Sequence, residues 1–231
     1  MGKNYRFFPL ATAVFVTTLI ISNIIAVKLV NIFGLFLPAA VILFPISYIF
    51  GDILTEVYGF ARARQVIWTG FFCNLVAVIA IWVGGLLPAA PFWTVVGFEN
   101  AETSQQAYQA ILGFTPRLLF ASFIAYLVGE FLNSFVLAKL KVRTEGRHLW
   151  FRTITSTIVG EGADSAVFIT IAFAGIFDAA GLGAAILSQW FFKVVYESLA
   201  TPLTYWIVNA LKRAENLDFF DRDTNFSPLI R

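Results

Sequence analysis

The segment GDILTEVYG, residues 51–59, places the carboxylates Asp52 and Glu56 one helical turn apart, directly after a long stretch without a charge. That stretch covers residues 29–51, and two further uncharged stretches cover residues 7–27 and 65–98. Each is longer than the roughly 18 residues that mark a membrane-spanning helix. Because lipid offers no partner to a carboxylate, acids within such sequence are expected to be functional or to hold helices together.

The composition also assigns the chain to the membrane. Of its 231 residues, 59% are hydrophobic and 13% are charged, whereas soluble domains contain about 25% charged residues. A soluble domain of this length lacks the interior to bury so much apolar surface. We therefore predict an all-α polytopic membrane protein with six transmembrane helices, at residues 8–30, 36–59, 65–86, 115–138, 152–174 and 184–211.

The basic residues predict the orientation of these helices. Thirteen of the 16 Lys and Arg residues lie before the first span, between the second and third, between or at the edges of the fourth and fifth, or after the sixth. With six crossings these segments share one side, which the positive-inside rule makes cytoplasmic. We expect both termini there, with residues 1–211 forming the transmembrane domain and residues 212–231 a short cytoplasmic tail.

The opposite side is expected to carry one long segment, residues 87–113, whose charged residues are Glu99 and Glu102. Its stretch LPAAPFW, residues 87–93, has the prolines and Trp expected at a lipid–water interface. The polar stretch at residues 99–112 predicts a short surface helix. Its sequence is compatible with a structural lid or with a substrate gate.

Three bases and six acids remain inside the predicted spans. Lys28 and Arg117 lie near the outer helix ends, where long side chains can reach the headgroups, but Lys193 is deep in the sixth span. One deep lysine, or three bases at most, cannot neutralise all the acids, so some are expected to be protonated, hydrated or available to a ligand that donates hydrogen bonds. The acids are Asp52, Glu56, Glu130, Glu161, Asp164 and Glu197.

The spacing of these charges supports a polar path between helices. Three pairs of charged residues are three or four residues apart, so the members of each pair share a helix face. The pairs are Asp52 with Glu56, Glu161 with Asp164, and Lys193 with Glu197. Lys193 is expected to pair with Glu197 or with Asp164. A glycine directly precedes an acid in three similar segments, GDILTE, GEFLNS and GEGADS, which start at residues 51, 129 and 160. Such a glycine lets a neighbouring backbone approach closely.

Longer motifs resemble a known family. FPISYIFGDILTEVYGFARARQVIW (44–68) is similar to the signature of the queuosine precursor transporter family, also described as vitamin uptake transporters. ISNIIAVKLV (21–30), GEGADSAVF (160–168), KVVYESLATPLTY (193–205) and FDRDTNFSP (220–228) resemble other motifs of that family in the same order. Segment 87–113 is the part without a clear counterpart.

The resemblance implies six transmembrane helices in a bacterial inner membrane and the import of 7-deazaguanine bases for tRNA modification, mainly 7-cyano-7-deazaguanine and 7-aminomethyl-7-deazaguanine. One carboxylate can accept both the ring N–H and the amino group of such a base, and aromatic side chains such as Tyr48, Tyr58, Phe168, Trp190 and Tyr196 can cover its ring. The candidate substrate-binding residues are Asn23, Tyr48, Asp52, Glu56, Glu130, Glu161, Asp164, Lys193, Tyr196 and Glu197.

Two other functions stay open. A substrate-capturing subunit of an energy-coupling-factor importer for a vitamin or nucleobase would have similar size and helix count. An intramembrane enzyme is disfavoured because His148 lies in a basic loop, Cys73 lies in an apolar stretch, and the sequence shows no metal-binding set and no Ser-His arrangement. The sequence also has no phosphate-binding loop, so the chain alone is not expected to be a primary pump. We expect no cofactor, no metal and no nucleic-acid partner; energy coupling and assembly into a homo-oligomer are left open.

Overall fold

The computed structural model describes residues 5–32, 35–113 and 116–229. The helices in this part are α1 (Phe8–Ile25), α2 (Phe44–Tyr58), α3 (Phe60–Leu86), α4 (Ala101–Leu112), α5 (Pro116–Arg143), α6 (Leu149–Phe173) and α7 (Ala179–Glu215). Between α1 and α2, the strands β1 (Leu29–Ile32) and β2 (Leu35–Pro38) form an antiparallel pair in which Leu29 lies opposite Pro38. A 3-10 helix, Ala39–Ile42, connects β2 to α2.

The prediction of an all-α, multi-pass membrane protein is confirmed in its main features. Within the described residues, five segments are long and apolar enough to cross a bilayer. These are α1, α3, α6, α7 and the segment that contains α5. Helix α2 has 15 residues and is about 22 Å long, shorter than the apolar core of a bilayer. The number of six crossings and the orientation of the termini therefore stay predictions.

The largest difference from the predicted spans is at the boundary between the first two. The first predicted span continues to residue 30, but α1 ends at Ile25. The second was expected to begin at residue 36, but α2 begins at Phe44. The intervening apolar residues pair as β1 and β2, and hydropathy alone does not distinguish a short apolar strand from a helix. The predicted surface helix is confirmed by α4, whose N-terminus is capped by the side chain of Asn100.

Helix α2 lies in the centre of the fold. Residues 51–60 are all buried, and α2 packs against α1, α3, α5 and α7. It ends at Gly59, which has φ 85° and turns the chain directly into α3. A Cβ at Gly59 would lie 2.3 Å from the ring of Phe219, so both the backbone conformation and the packing of the tail require glycine here.

Helices α5 and α6 cross closely at two glycines. A Cβ added to Gly129 would lie 2.7 Å from Cβ of Asp164, and one added to Gly160 would lie 2.6 Å from Cβ of Asn133. A Cβ on Gly51 would come 3.1 Å from Oε2 of Glu130. The prediction that these glycines permit close approach of neighbouring helices is confirmed.

Four basic segments of the chain meet at one end of the helices, which we call the basic end. The backbone N–H of Phe7 donates to Glu215 at the end of α7, and the N–H of Phe60 donates to Asp221 in the tail. Lys141, near the end of α5, forms an ion pair with Asp218. The start of α1, the α2–α3 corner, the α5–α6 turn and the tail are therefore on the same side, as their basic residues predicted.

Candidate functional site

A cavity of about 490 Å³ lies between five of the helices. Its wall comes from the C-terminal parts of α1 and α6, the start of α2, and the N-terminal halves of α5 and α7. Helix α6 starts at the basic end with Leu149, and the first cavity residue that it contributes is Glu161, about 18 Å further along the helix. The cavity therefore lies in the half of the molecule away from the basic end.

The cavity wall is mainly apolar and aromatic, with polar groups at a few positions. Such a wall is typical of sites for flat small molecules, in which the apolar surface covers the ring and a few polar groups fix its orientation. The aromatic members are Tyr48, Tyr126, Phe168, Phe192 and Tyr196, and the charged members are Glu130, Glu161, Asp164 and Lys193. The neutral polar members are Asn23, Ser47, Ser122, Ser188 and Gln189.

Lys193 forms ion pairs with two of the carboxylates in the wall. Its Nζ lies 2.8 Å from Oε2 of Glu161 and also forms an ion pair with Asp164, and it lies 5.5 Å from the centre of the Tyr48 ring. The predicted pairing with Asp164 is confirmed. The alternative pairing with Glu197 is wrong, because the ammonium group of Lys193 is directed towards α6 and not along its own helix.

Glu130 is the carboxylate of the wall that forms no ion pair with a described residue. The residue is 6% exposed, and its Oε2 is buried without a hydrogen-bond partner among the described residues. Gly51 leaves the room for this carboxylate next to α2. A buried acceptor without a donor is costly, so a ligand that donates hydrogen bonds would be stabilised at this position.

Two of the predicted site residues lie behind the cavity wall. Asp52 is 1% exposed, and its Oδ1 accepts a hydrogen bond of 2.7 Å from Nδ2 of Asn133, whereas its Oδ2 has no partner in the described chain. Glu197 is 2% exposed, and neither of its carboxylate oxygens accepts a hydrogen bond from a described residue. Both are close enough to the wall for their charges to affect each other and Glu161.

Glu56 lies apart from the cavity, in an ion-pair network at the basic end. Its carboxylate lies 2.7 Å from Nζ of Lys212, 2.9 Å from Nη1 of Arg152 and 3.4 Å from Nζ of Lys141. The side chain of Glu56 is fully buried. The expectation that it shares the substrate path with Asp52 is therefore not supported by its position, because three cations satisfy it near the end of α2.

Asp218 adds a second acid to this network from the tail. It lies 2.6 Å from Nζ of Lys141 and 2.8 Å from Nζ of Lys212. Burial opposes ionisation of Asp218, but the hydrogen bonds and charges of the two lysines outweigh this effect and hold its pKa below the ordinary value. The tail is thus fixed to α5 and α7 by charge.

The tail is also fixed to α3 by hydrogen bonds. The guanidinium of Arg64 donates to the backbone oxygens of Asn225 and Ser227, and the indole N–H of Trp68 donates to the backbone oxygen of Pro228. The carboxylate of Asp221 is buried and accepts from the first N–H of α3, which satisfies a group that has no partner within its own helix.

The structure brings seven of the ten predicted site residues to the cavity. These are Asn23, Tyr48, Glu130, Glu161, Asp164, Lys193 and Tyr196. Phe168 also lines the cavity, as its expected aromatic role requires. Tyr58 instead donates to Glu215 at the basic end, and the indole of Trp190 donates to the backbone oxygen of Ile158.

Sequence reasoning missed several residues of the wall. Tyr126 precedes Glu130 by one helical turn, the same spacing by which Tyr48 precedes Asp52, so this signal was present in the sequence. Gln189 is a polar residue in the apolar part of α7 and was also a detectable signal. Ser47, Ser122 and Phe192 have no such signal, because serine and phenylalanine are frequent on any transmembrane helix.

Comparison with known proteins identifies the family. Residues 38–207 match the family model described as "Putative vitamin uptake transporter". The chain belongs to this family. It is therefore a multi-pass membrane transporter, and the matched region contains all the carboxylates and the lysine of the cavity wall.

Individual relatives have more specific names. The chain is 29% identical over 187 residues to the "Probable queuosine precursor transporter" of Bacillus subtilis, covering 80% of this chain and 77% of the relative. It is 26% identical over 155 residues to the "Queuosine precursor transporter" of Escherichia coli, covering 66% of this chain and 62% of the relative. A protein of Haemophilus influenzae with the same name as the Bacillus one is 26% identical over 133 residues, covering 56% of this chain and 49% of the relative. No solved structure matches the chain.

Proposed function

We propose that this chain imports queuosine precursors, the 7-deazaguanine bases 7-cyano-7-deazaguanine and 7-aminomethyl-7-deazaguanine, across a bacterial inner membrane. The names of the relatives from Bacillus and Escherichia support this substrate class. The observation that carries the proposal is the cavity of about 490 Å³, which combines aromatic walls with a buried carboxylate whose Oε2 has no hydrogen-bond partner among the described residues. Its volume is within the range of about 300–1,000 Å³ that is usual for small-molecule sites.

Glu130 is the residue we propose for recognition of the guanine-like edge. The ring N–H and the neighbouring amino group of a 7-deazaguanine point in the same direction, so one carboxylate can accept from both. Glu161 and Asp164 are less suited to this role because Lys193 already occupies them. Glu130 has the free acceptor capacity that the base requires.

The remaining wall fits the rest of the same base. The rings of Tyr48, Phe168 and Tyr196 provide apolar surface for the flat bicycle. The ammonium of Lys193 is a donor that can approach the ring carbonyl oxygen, and the amides of Asn23 and Gln189 can serve the substituent at position 7. A purine such as adenine lacks the ring N–H beside an amino group and would leave Glu130 without its two donors.

The orientation of the molecule follows from the basic end. If the positive-inside rule places this end in the cytoplasm, the cavity lies in the outer half of the membrane domain. The network of Glu56 with Lys141, Arg152 and Lys212 then lies between the cavity and the cytoplasm. This arrangement is suited to accept a substrate from outside the cell.

The test is uptake of radiolabelled 7-cyano-7-deazaguanine by vesicles that contain only the purified protein. Wild-type vesicles are expected to take up the base, with competition from unlabelled 7-aminomethyl-7-deazaguanine and none from adenine. Glu130→Gln should weaken apparent affinity about tenfold or more, because loss of a matched buried acceptor costs roughly 1–3 kcal/mol. Glu102→Gln, an acid on the surface of α4, is the matched control and should leave uptake unchanged.

The same vesicles separate the transporter from its alternative. A substrate-capturing subunit of an energy-coupling-factor importer binds its ligand but requires partner subunits for transport. Binding of the base without uptake by the purified protein would favour that alternative. If the protein shows no binding and no uptake of the base, the proposed substrate class is refuted.

A further inference from the structure

Glu197 is a buried acid that the proposed binding site does not use. It lies in α7, one turn after Lys193, and is 2% exposed. Both of its carboxylate oxygens are buried, and neither has a hydrogen-bond partner among the described residues. Its neighbours Lys193 and Tyr196 line the cavity, whereas Glu197 itself does not. A position directly behind the wall allows it to respond to events in the cavity without touching the substrate.

The charged groups that face Glu197 from the other helices are all acids. They are Asp52 from α2, Glu130 from α5 and Glu161 from α6. On its own helix, Lys193 is directed away and bound by Glu161 and Asp164.

Another cation, Arg152, acts on Asp52 but is bound by Glu56. None of the ion pairs among the described residues therefore gives Glu197 a compensating cation.

An ionised carboxylate in such a place would be very costly. Transfer of a charge out of water is repaid only by a well-placed partner and additional hydrogen bonds, and Glu197 has neither in the described chain. The group avoids this cost by binding a proton. The same conclusion does not hold for Glu161 and Asp164, which share the charge of Lys193. Glu130 also differs from Glu197, because it lines the cavity and can be reached there by water or by a ligand that donates hydrogen bonds.

We propose that Glu197 binds the proton whose movement drives uptake, so that the protein is a proton–base symporter; this rests on the proposed function. One proton binds to a carboxylate oxygen of Glu197 from the cavity side while the base binds at the wall, and both are released on the cytoplasmic side. Glu130 and Glu161 line the cavity, and their charges act on Glu197; in this proposal the proton reaches Glu197 past these two acids. A metal ion is a poorer candidate, because the described residues contain no group of three or more His, Cys, Asp or Glu side chains that could hold one.

The test uses purified protein in vesicles and neutral 7-cyano-7-deazaguanine, with the membrane potential clamped by potassium and valinomycin. Exchange of labelled for unlabelled base at equal pH measures transport without net proton movement. Accumulation under an imposed pH gradient, acidic outside, measures coupling. For one proton per base, a gradient of one pH unit supports up to about tenfold accumulation, and an imposed sodium gradient should support none.

The variant Glu197→Gln should keep exchange and lose at least most of the accumulation. It keeps the size of the side chain and cannot release a proton. Glu197→Asp, which retains the titrating group, should restore part of the accumulation, and Glu102→Gln should behave like the wild type. Equal accumulation by Glu197→Gln and wild type would overturn the proposal, as would accumulation that follows sodium.

A measurement on the wild type keeps the test valid if Glu197→Gln does not fold. A pH-sensitive dye inside the vesicles should report acidification when the base is added outside, even without an imposed gradient. Exchange without acidification would overturn proton coupling and leave the proposed function intact. Absence of exchange in the wild type would instead refute the proposed function, so the two failures can be distinguished.

Discussion

Replacement of Glu56 by glutamine tests the ion-pair network at the basic end. The side chain of Glu56 is fully buried, and its two oxygens lie within 2.7–3.4 Å of three cationic groups. Glu56→Gln keeps the shape, leaves Lys141 and Lys212 with Asp218, which is half-exposed, and removes the acid that pairs with Arg152. Removal of one partner from a buried pair costs about 3–5 kcal/mol, because the other charge is stranded.

The expected effect is large enough to measure in detergent. For a chain of 150–250 residues, each kcal/mol lowers the midpoint of thermal unfolding by about 2–4 °C, so Glu56→Gln should lower it by roughly 6–20 °C. The assay is the fraction of folded monodisperse protein that remains after heating, measured by size-exclusion chromatography. Membrane insertion and expression are compared in parallel with the wild type.

A matched control comes from the same network. Asp218→Asn removes an acid that contacts two of the same lysines but is half-exposed, and exposed pairs contribute about 0–1 kcal/mol. The double variant Glu56→Gln with Arg152→Met should recover part of the loss, because it removes one stranded cation. If Glu56→Gln is no less stable than Asp218→Asn, the network does not hold the basic end together and this reasoning is wrong.

Three further predictions concern the cavity, the helix crossing and the topology. Lys193→Met should abolish uptake and lower stability by leaving Glu161 and Asp164 without their cation, and Asp164→Asn added to it should restore stability measured by the heating assay. Gly129→Val should reduce the yield of folded protein, because a side chain there meets Cβ of Asp164 at 2.7 Å, whereas Gly183→Ala, with open space around it, should not. In a Cys73→Ala background, cysteines at Arg64, Arg147 and Arg222 should resist an impermeant thiol reagent in intact cells and one at Glu102 should react; labelling of Arg147 but not Glu102 would refute the orientation.

Much of the fold could be predicted from the sequence because lipid imposes a simple requirement. A helix must be predominantly apolar over about 20 residues to cross the bilayer, so the ends of α1, α3, α5, α6 and α7 were all located to within five residues. The hairpin of β1 and β2 was missed because its residues are as apolar as those of a helix. Lys28 before it and Pro38 at its end were the available signals, since proline restricts the preceding residue and supplies no N–H.

The candidate site was predictable only as a set of residues. Desolvation makes every intramembrane charge improbable without a role, which led to Glu130, Glu161, Asp164 and Lys193, and the structure brings these four to the wall of one cavity. Sequence spacing could not assign partners, because these depend on which helices are adjacent. Lys193 therefore appeared equally able to pair with Glu197 on its own helix and with Asp164 on α6, and only the packing of α6 against α7 decides between them.

Glu56 shows the limit of spacing most clearly. It follows Asp52 by four residues, so the two share a helix face, yet α2 ends two residues later at Tyr58. The partners of Glu56 come from residues that the sequence assigned to cytoplasmic segments or helix edges, Lys141, Arg152 and Lys212. Spacing within one helix does not show which neighbouring helices and segments each turn meets, and here one helical turn separates Asp52, behind the cavity wall, from Glu56 in the ion-pair network.

The two groups of buried charges differ in a way that bears on transport. At the basic end, Glu56 has three cations around it and is satisfied without a ligand. Around the cavity, five acids surround the single ammonium of Lys193, and oxygens of Asp52, Glu130 and Glu197 have no partner in the described chain.

A ligand that donates hydrogen bonds, or a proton, changes the free energy of the charges around the cavity and leaves that of the network at the basic end unchanged. A ligand shifts a conformational equilibrium only by its differential interaction with the two states. We therefore expect occupancy of the cavity, rather than a change at the basic end, to start the movement that releases the substrate.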